Sequence, residues 1–205
     1  RDMKQKDPRH LYSTTTFTFE RGHGGHPEPE DQFFVTQRTD SGWVRGQGVF
    51  DAERPSFEKD YAASVGTPSV PLISHEIGQY AVYPNVREIE KYTGVLDPLN
   101  FKAVRDDLRD KGLLKLADDF FDASGRFAAI LYKEEVERAL KTPGFSGFQL
   151  LGLQDFPGQS TALVGLVDAF WDNKGFMSRR FPLFLRPRCS VGAVWQGGLH
   201  NRRDV

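Results

Sequence analysis

Residues 70–78 read Val70-Pro71-Leu72-Ile73-Ser74-His75-Glu76-Ile77-Gly78. A proline opens the run and a glycine closes it, and Leu72, Ile73 and Ile77 supply apolar side chains within seven residues. Such a short, bounded run predicts a buried strand over 71–77. His75 and Glu76 then stand at its carboxyl end, where the chain leaves for a polar loop.

Two similar runs lie on either side. Phe33, Phe34 and Val35 predict a short buried strand, and Phe145–Leu153 (FSGFQLLGL) predicts another. Further upstream, residues 11–19 (LYSTTTFTF) are β-branched and aromatic and also read as a strand. Two polar stretches, 38–69 and 79–98, separate these runs. The first is long for a compact domain, which marks it as functional. Helices come next. Phe101, Val104 and Leu108 recur at helical spacing, with Gly112 as a stop. A second helical stretch runs from about Leu114 to Thr142, with Phe120, Phe121, Phe127, Ile130, Leu131, Val136 and Leu140 mostly on one side. Gly125 is a candidate break, and Pro143-Gly144 ends the helix. Short apolar strands followed by polar loops and helices predict parallel β/α units.

Composition narrows the function classes. The chain has 205 residues, 39% hydrophobic, with 27 basic against 28 acidic side chains. The apolar content is that of a globular chain, and the near-neutral balance argues against a general nucleic-acid binder. No apolar run approaches the roughly 18 residues of a membrane span. A single cysteine, Cys189, excludes a disulfide framework and a cysteine-based zinc site. The charge is uneven. Beyond position 178 there are six arginines and one acid, which leaves 21 basic and 27 acidic residues before it. The two regions therefore carry net charges of −6 and +5.

Several segments, in order, resemble the second half of the catalytic barrel of glycoside hydrolase family 2, which includes β-galactosidases. Asp7-Pro8-Arg9-His10-Leu11-Tyr12 resembles the "DPTRP" entry into the fifth strand. Val70–Gly78 resembles the seventh strand, "P-x-x-x-x-E-x-G", and Gly144–Leu151 resembles the eighth. The likeness is nearest to large sugar-degrading enzymes of this type with HEIGQ and DFPGQGTALVG segments, and it spans roughly residues 5–178. It implies an α/β fold, namely the C-terminal half (strands 5–8) of a (β/α)8 TIM barrel. A closed barrel takes about 250 residues. It also implies hydrolysis of β-linked glycosides with retention, a carbohydrate substrate, no cofactor and no metal, and a secreted or periplasmic location. Where β-galactosidases carry Trp on strand eight, this chain has Leu or Gln, which puts galactose specificity in doubt. The Asn-Glu pair of the fourth strand, with the acid/base Glu, would lie before Arg1, in a missing N-terminal half of the barrel. The domain expectation is a partial catalytic barrel over 1–178 and an irregular basic tail over 179–205.

Glu76 is the main candidate for chemistry. A retaining glycosidase needs one carboxylate at the anomeric carbon and a second carboxyl group to protonate the leaving oxygen. Barrel enzymes place such groups at the carboxyl ends of strands. The resemblance assigns Glu76 as the nucleophile; the alternative is a Glu that opens a loop and pairs with a neighbouring Arg. His23 and His26, in HGGH with Glu28 and Glu30 behind, read as sugar contacts, as a structural loop or as metal ligands. On an ideal strand His75 points away from Glu76, as a packing residue or a site residue. Gln154 and Asp155, in QDFPGQ, read as acceptors for sugar hydroxyls, or Asp155 as a turn cap. Trp43, Tyr80, Tyr83 and Trp171 read as sugar-stacking platforms or as local core. The acids Asp106, Asp107, Asp118, Asp119, Glu134, Glu135 and Glu137 read as solvated helix faces. Two rivals stay open: a non-catalytic carbohydrate-binding or interaction module, and a metal hydrolase built on His23, His26, His75 and a carboxylate.

The tail admits a reading from the genetic code. Codons can be chosen for Phe181–Val205 so that a one-base shift gives FR-x-FCAPVVPLVRFGKAVYTTDE, a β-like peptide that resembles the family's exit from its last barrel helix. Free codon choice offers chance as the alternative. On the frameshift reading, residues after about Ser178 carry no evolved function, and DNA with stop codons in the shifted frame would rule it out.

Overall fold

The structure is a computed structural model that describes residues 2–14, 23–56, 58–157 and 163–174. Its fold is mixed α/β around a small parallel sheet. Strands β1 (Phe34–Thr36), β4 (Leu72–Gly78) and β5 (Phe145–Leu151) pair in parallel in the order β1-β4-β5. The three apolar runs thus become three adjacent strands in chain order. A closed barrel is not formed among the described residues, and the half-barrel expectation is met only as far as these three strands. Most of the anticipated strand over 11–19 lies outside the described residues, and 11–14 are not in a strand. Residues 175–205, and with them the tail, also lie outside.

The excursion between β1 and β4 holds a two-stranded antiparallel ribbon, β2 (Arg38–Thr39) and β3 (Gly42–Trp43), and the short helix α2 (Ala62–Val65). It folds back under the sheet: Val44 N–H donates to the Gln37 carbonyl, and the Ser74 hydroxyl donates to the Val44 carbonyl at 2.7 Å. Two helices connect β4 to β5, α3 (Leu99–Asp110) and α4 (Ala117–Lys141). A short helix α1 (Asp2–Lys6) precedes them all. Helix α3 follows its sequence pattern, burying Phe101 and Leu108, and Gly112 takes a positive φ of 69° just beyond it. No helix among the described residues is long and apolar enough to cross a membrane.

Helix α4 differs from the expectation in two respects. It is continuous through Gly125, because the glycine sits against the chain: a Cβ there would lie 2.6 Å from the Lys174 carbonyl oxygen. Its inward stripe is also only in part the expected one: Leu131 is buried as anticipated, others are not. Phe127, Ile130 and Leu140 are at least half exposed, whereas Glu134 and Glu135 are buried. The inward positions 125, 128, 131, 132, 135, 138 and 139 recur at spacings of three and four, as one helix face requires. Buried charge is tolerated there because it is partnered. Arg138 pairs with Glu134 at 2.8 Å and stacks over Phe50 and Tyr61. Around these groups Val82, Ala128, Tyr132 and Leu166 form one apolar cluster, and Val44, Tyr61, Val65 and Ala139 form another. Of the acids expected on solvated faces, Glu134 and Glu135 are therefore core residues.

Candidate active site

The centre of the site is the carboxyl end of β4, the middle strand. Pairing with β5 shifts register between Ser74 and Ile77. Within that irregularity Glu76 takes a φ of 56°, and just past the strand end Gln79 takes a φ of 66°. A left-handed conformation costs a non-glycine residue roughly 1–2 kcal/mol and persists only where the surroundings impose it. The bulge cancels the alternation that would send His75 and Glu76 to opposite sides. His75 Nε2 lies 3.5 Å from Glu76 Oε1, and its Nδ1 lies 2.7 Å from Gln149 Oε1 on β5.

Other elements converge on the same carboxylate. Gln37, just past the end of β1, donates from Nε2 to Glu76 Oε2 at 2.6 Å. The Arg45 guanidinium reaches within 3.8 Å of Glu76 Oε2 from below. Arg45 is only 2% exposed, and burial pulls its pKa down against the pull of Glu135 and Glu76. One of its terminal nitrogens donates to the Gln79 side-chain oxygen at 3.0 Å and to that of Gln47, while its Nε has no hydrogen-bond partner among the described residues. Beneath both lies Glu135 from α4. Its Oε1 accepts the Gly46 N–H at 2.5 Å; its Oε2 accepts the Gly78 N–H at 2.7 Å and the Tyr80 hydroxyl at 2.8 Å. Full burial pushes the Glu135 pKa up, and these donors and Arg45 oppose the push. A groove of about 810 Å³ adjoins the site, with Gln47, Gln79 and Tyr80 on one part of its lining and Phe127 and Leu131 of α4 on another.

The remaining sequence candidates are distributed as follows. In the HGGH loop, His23 Nδ1 is 2.6 Å from Glu28 and His26 Nδ1 is 2.8 Å from Asp40. The loop is tied to the β1 end through the Gly24 carbonyl, which accepts from Thr36, and the Gly25 carbonyl, which accepts the Asp40 N–H. Trp43 on β3 is 40% exposed, with the Arg38 guanidinium over its ring. Tyr80 is spoken for: its hydroxyl goes to Glu135, and its ring packs against Phe50 and edge-on to Tyr132. Gln154 donates to the Ala169 carbonyl at 2.7 Å. Asp155 is buried and holds Lys174 Nζ at 2.8 Å from both of its oxygens. The structure thus brings Glu76 and His75 together, sets the HGGH loop at the neighbouring strand end, and uses Tyr80 and Asp155 as internal supports. Among the described residues, no group of three or more His, Cys, Asp or Glu is arranged to hold a metal ion.

Sequence reasoning missed Gln37, Arg45, Gln149 and Glu135. Gln37 and Gln149 follow or end apolar runs, a position that could have flagged them. Arg45 lies inside the long excursion, and Glu135 stands in a run of charged helix residues that periodicity assigns to solvent. No family model matches the chain, and no curated protein matches it either.

Proposed function

We propose that the chain is the C-terminal half of a (β/α)8 catalytic barrel of a retaining β-glycosidase and that Glu76 is its nucleophile. The observation that carries the reading is the Glu76 carboxylate itself. It is held in a left-handed backbone conformation at the carboxyl end of the central parallel strand, with an amide donor on one oxygen and a buried guanidinium beneath. Parallel neighbours in chain order, β1-β4-β5, are the arrangement that successive barrel strands take. Gln37 and Arg45 hold Oε2, and Oε1, with His75 Nε2 at 3.5 Å, is the attacking atom. In the first step Oε1 forms a bond to the anomeric carbon as the glycosidic C–O bond breaks, and the leaving oxygen takes a proton from a second carboxyl group. In the second step water attacks the anomeric carbon, the same group accepts its proton, and the bond to Glu76 breaks. That acid/base Glu belongs to the half of the barrel upstream of Arg1, so the 205-residue chain alone is expected to turn over little substrate. The test uses the chain extended upstream. A 2-deoxy-2-fluoro glycoside is expected to label Glu76, and Glu76→Gln to lose most turnover. Full activity in Glu76→Gln, with labelling elsewhere, would refute the assignment.

A further inference from the structure

We infer that Glu135 is the positioning residue of the Glu76 site, the group through which helix α4 sets the geometry of the nucleophile turn. The inference rests on the retaining-glycosidase reading above. Three observations point to it.

First, Glu135 is fully buried, yet it is 57 residues from Gly78 and 89 from Gly46 in the chain, the two amides it accepts. One carboxylate therefore ties together the segment that carries Glu76 and the segment that carries Arg45. Second, the fit leaves no slack. A Cβ on Gly46 would lie 2.9 Å from the Glu135 carboxyl carbon, and a Cβ on Gly78 would lie 2.2 Å from the Tyr132 ring one turn earlier on the same helix. Third, Glu76 and Gln79 flank the bonded amide of Gly78, and both hold left-handed φ values. Two such residues around one anchored amide mean that the anchor, not intrinsic preference, imposes the backbone.

The chemical role follows from what would happen without it. Released from Glu135, the 76–79 turn can relax, carrying the Glu76 carboxylate away from Gln37 and Arg45. Glu135 does not itself face the substrate: its oxygens are occupied by Gly46, Gly78 and Tyr80. It acts on the reaction only through Glu76.

The test compares Glu135→Gln, Tyr80→Phe and Glu76→Gln in the upstream-extended protein, using a dinitrophenyl glycoside whose leaving group needs no protonation. Glu135→Gln keeps the shape but replaces one acceptor by an amide donor that faces an N–H or the Tyr80 hydroxyl. The expected result is a fall in kcat of about 10²-fold with KM within about threefold, since misplacement of a reacting group by about an ångström costs that much. Tyr80→Phe removes one of the three donors and leaves both amides bonded; its kcat is expected to fall by about threefold to tenfold. It serves as the deciding variant if Glu135→Gln does not fold. A folded Glu135→Gln, or failing that a folded Tyr80→Phe, with kcat unchanged beside an inactive Glu76→Gln overturns the positioning role and leaves the nucleophile assignment standing. A Glu76→Gln protein that keeps its turnover removes the nucleophile assignment and the positioning role with it.

Discussion

Replacing Lys174 with methionine isolates the energetics of a fully enclosed ion pair, Lys174–Asp155. Lys174 Nζ lies 2.8 Å from both Asp155 oxygens and 2.8 Å from the Leu163 carbonyl, and Asp155 also accepts the Gly165 N–H at 2.7 Å. Both residues are at most 4% exposed. Burial presses the Asp155 pKa up and that of Lys174 down, and their mutual attraction is the main opposing effect. Methionine fills nearly the same volume without the charge, so the variant leaves a buried carboxylate with one backbone donor. Breaking a buried pair in this way costs about 3–5 kcal/mol, whereas replacing both partners by apolar residues is often close to neutral. Lys174→Met should therefore lose about 3–5 kcal/mol at neutral pH, and the added change Asp155→Leu should restore most of it. Urea denaturation followed by far-ultraviolet circular dichroism measures both. The pH dependence has a definite sign. The Asp155 pKa, already raised in the folded state, rises further once Lys174 is gone, so the folded protein holds its proton where the unfolded chain has released it. The deficit of Lys174→Met should be smallest near pH 4 and grow towards neutrality. A loss below about 1 kcal/mol, or a deficit that does not change with pH, would refute the account of Asp155 as an internal counter-ion.

Two further outcomes are expected. Glu88, buried beside Asp168 and Asp155, has its pKa pushed up to about 7, chiefly by burial, with the Tyr92 hydroxyl on Oε1 opposing. The folded state therefore binds a proton more tightly than the unfolded chain, and stability should fall between about pH 4.5 and 7 by up to about 3 kcal/mol; Glu88→Gln should flatten that part of a melting-temperature profile, and an unaltered profile would exclude Glu88 as its source. Gly78→Ala combines a φ of 96° with a Cβ placed 2.2 Å from the Tyr132 ring, and should lose about 2–4 kcal/mol by calorimetry; a melting temperature unchanged from the wild type would show that the turn can move aside.

The sheet was legible because its strands are short apolar runs bounded by Pro, Gly and polar loops, a signal that needs no partner to be read. The Glu76 position was legible for the same reason, as the polar end of such a run. The inward face of α4 was not. Periodicity counts apolar side chains, and it placed Phe127, Ile130 and Leu140 inside and Glu135 outside. What reverses this is a set of donors, the amides of Gly46 and Gly78, that lie far away in the chain and belong to residues with no side chain to read. The company kept by Glu76 was hidden likewise. Gln37 and Arg45 reach it from an excursion whose ribbon and short helix carry no strong pattern, and the register shift that turns His75 towards Glu76 is a property of two strands together. Asp155 looked like a loop acid because its partner, Lys174, stands 19 residues on in another loop.

The contact between α4 and the rest of the fold has a consequence for how this chain can vary. Gly46, Gly78 and Gly125 leave no room for a methyl group: a Cβ would lie 2.0 Å from the Tyr80 hydroxyl that bonds Glu135, 2.2 Å from the Tyr132 ring and 2.6 Å from the Lys174 carbonyl oxygen. Elsewhere in a core, a change of one side chain is absorbed by repacking its neighbours. Here a methyl group would have to displace a held ring at Gly46 and Gly78, and the loop backbone at Gly125. In a saturation library, tolerance along α4 should therefore be sharply one-sided: permissive at Phe127, Ile130 and Leu140, and nearly closed at Gly125, Tyr132 and Glu135. The helix that looks most greasy from outside would accumulate its diversity there, while its inward charged residue would read as one of the most restricted positions in the chain.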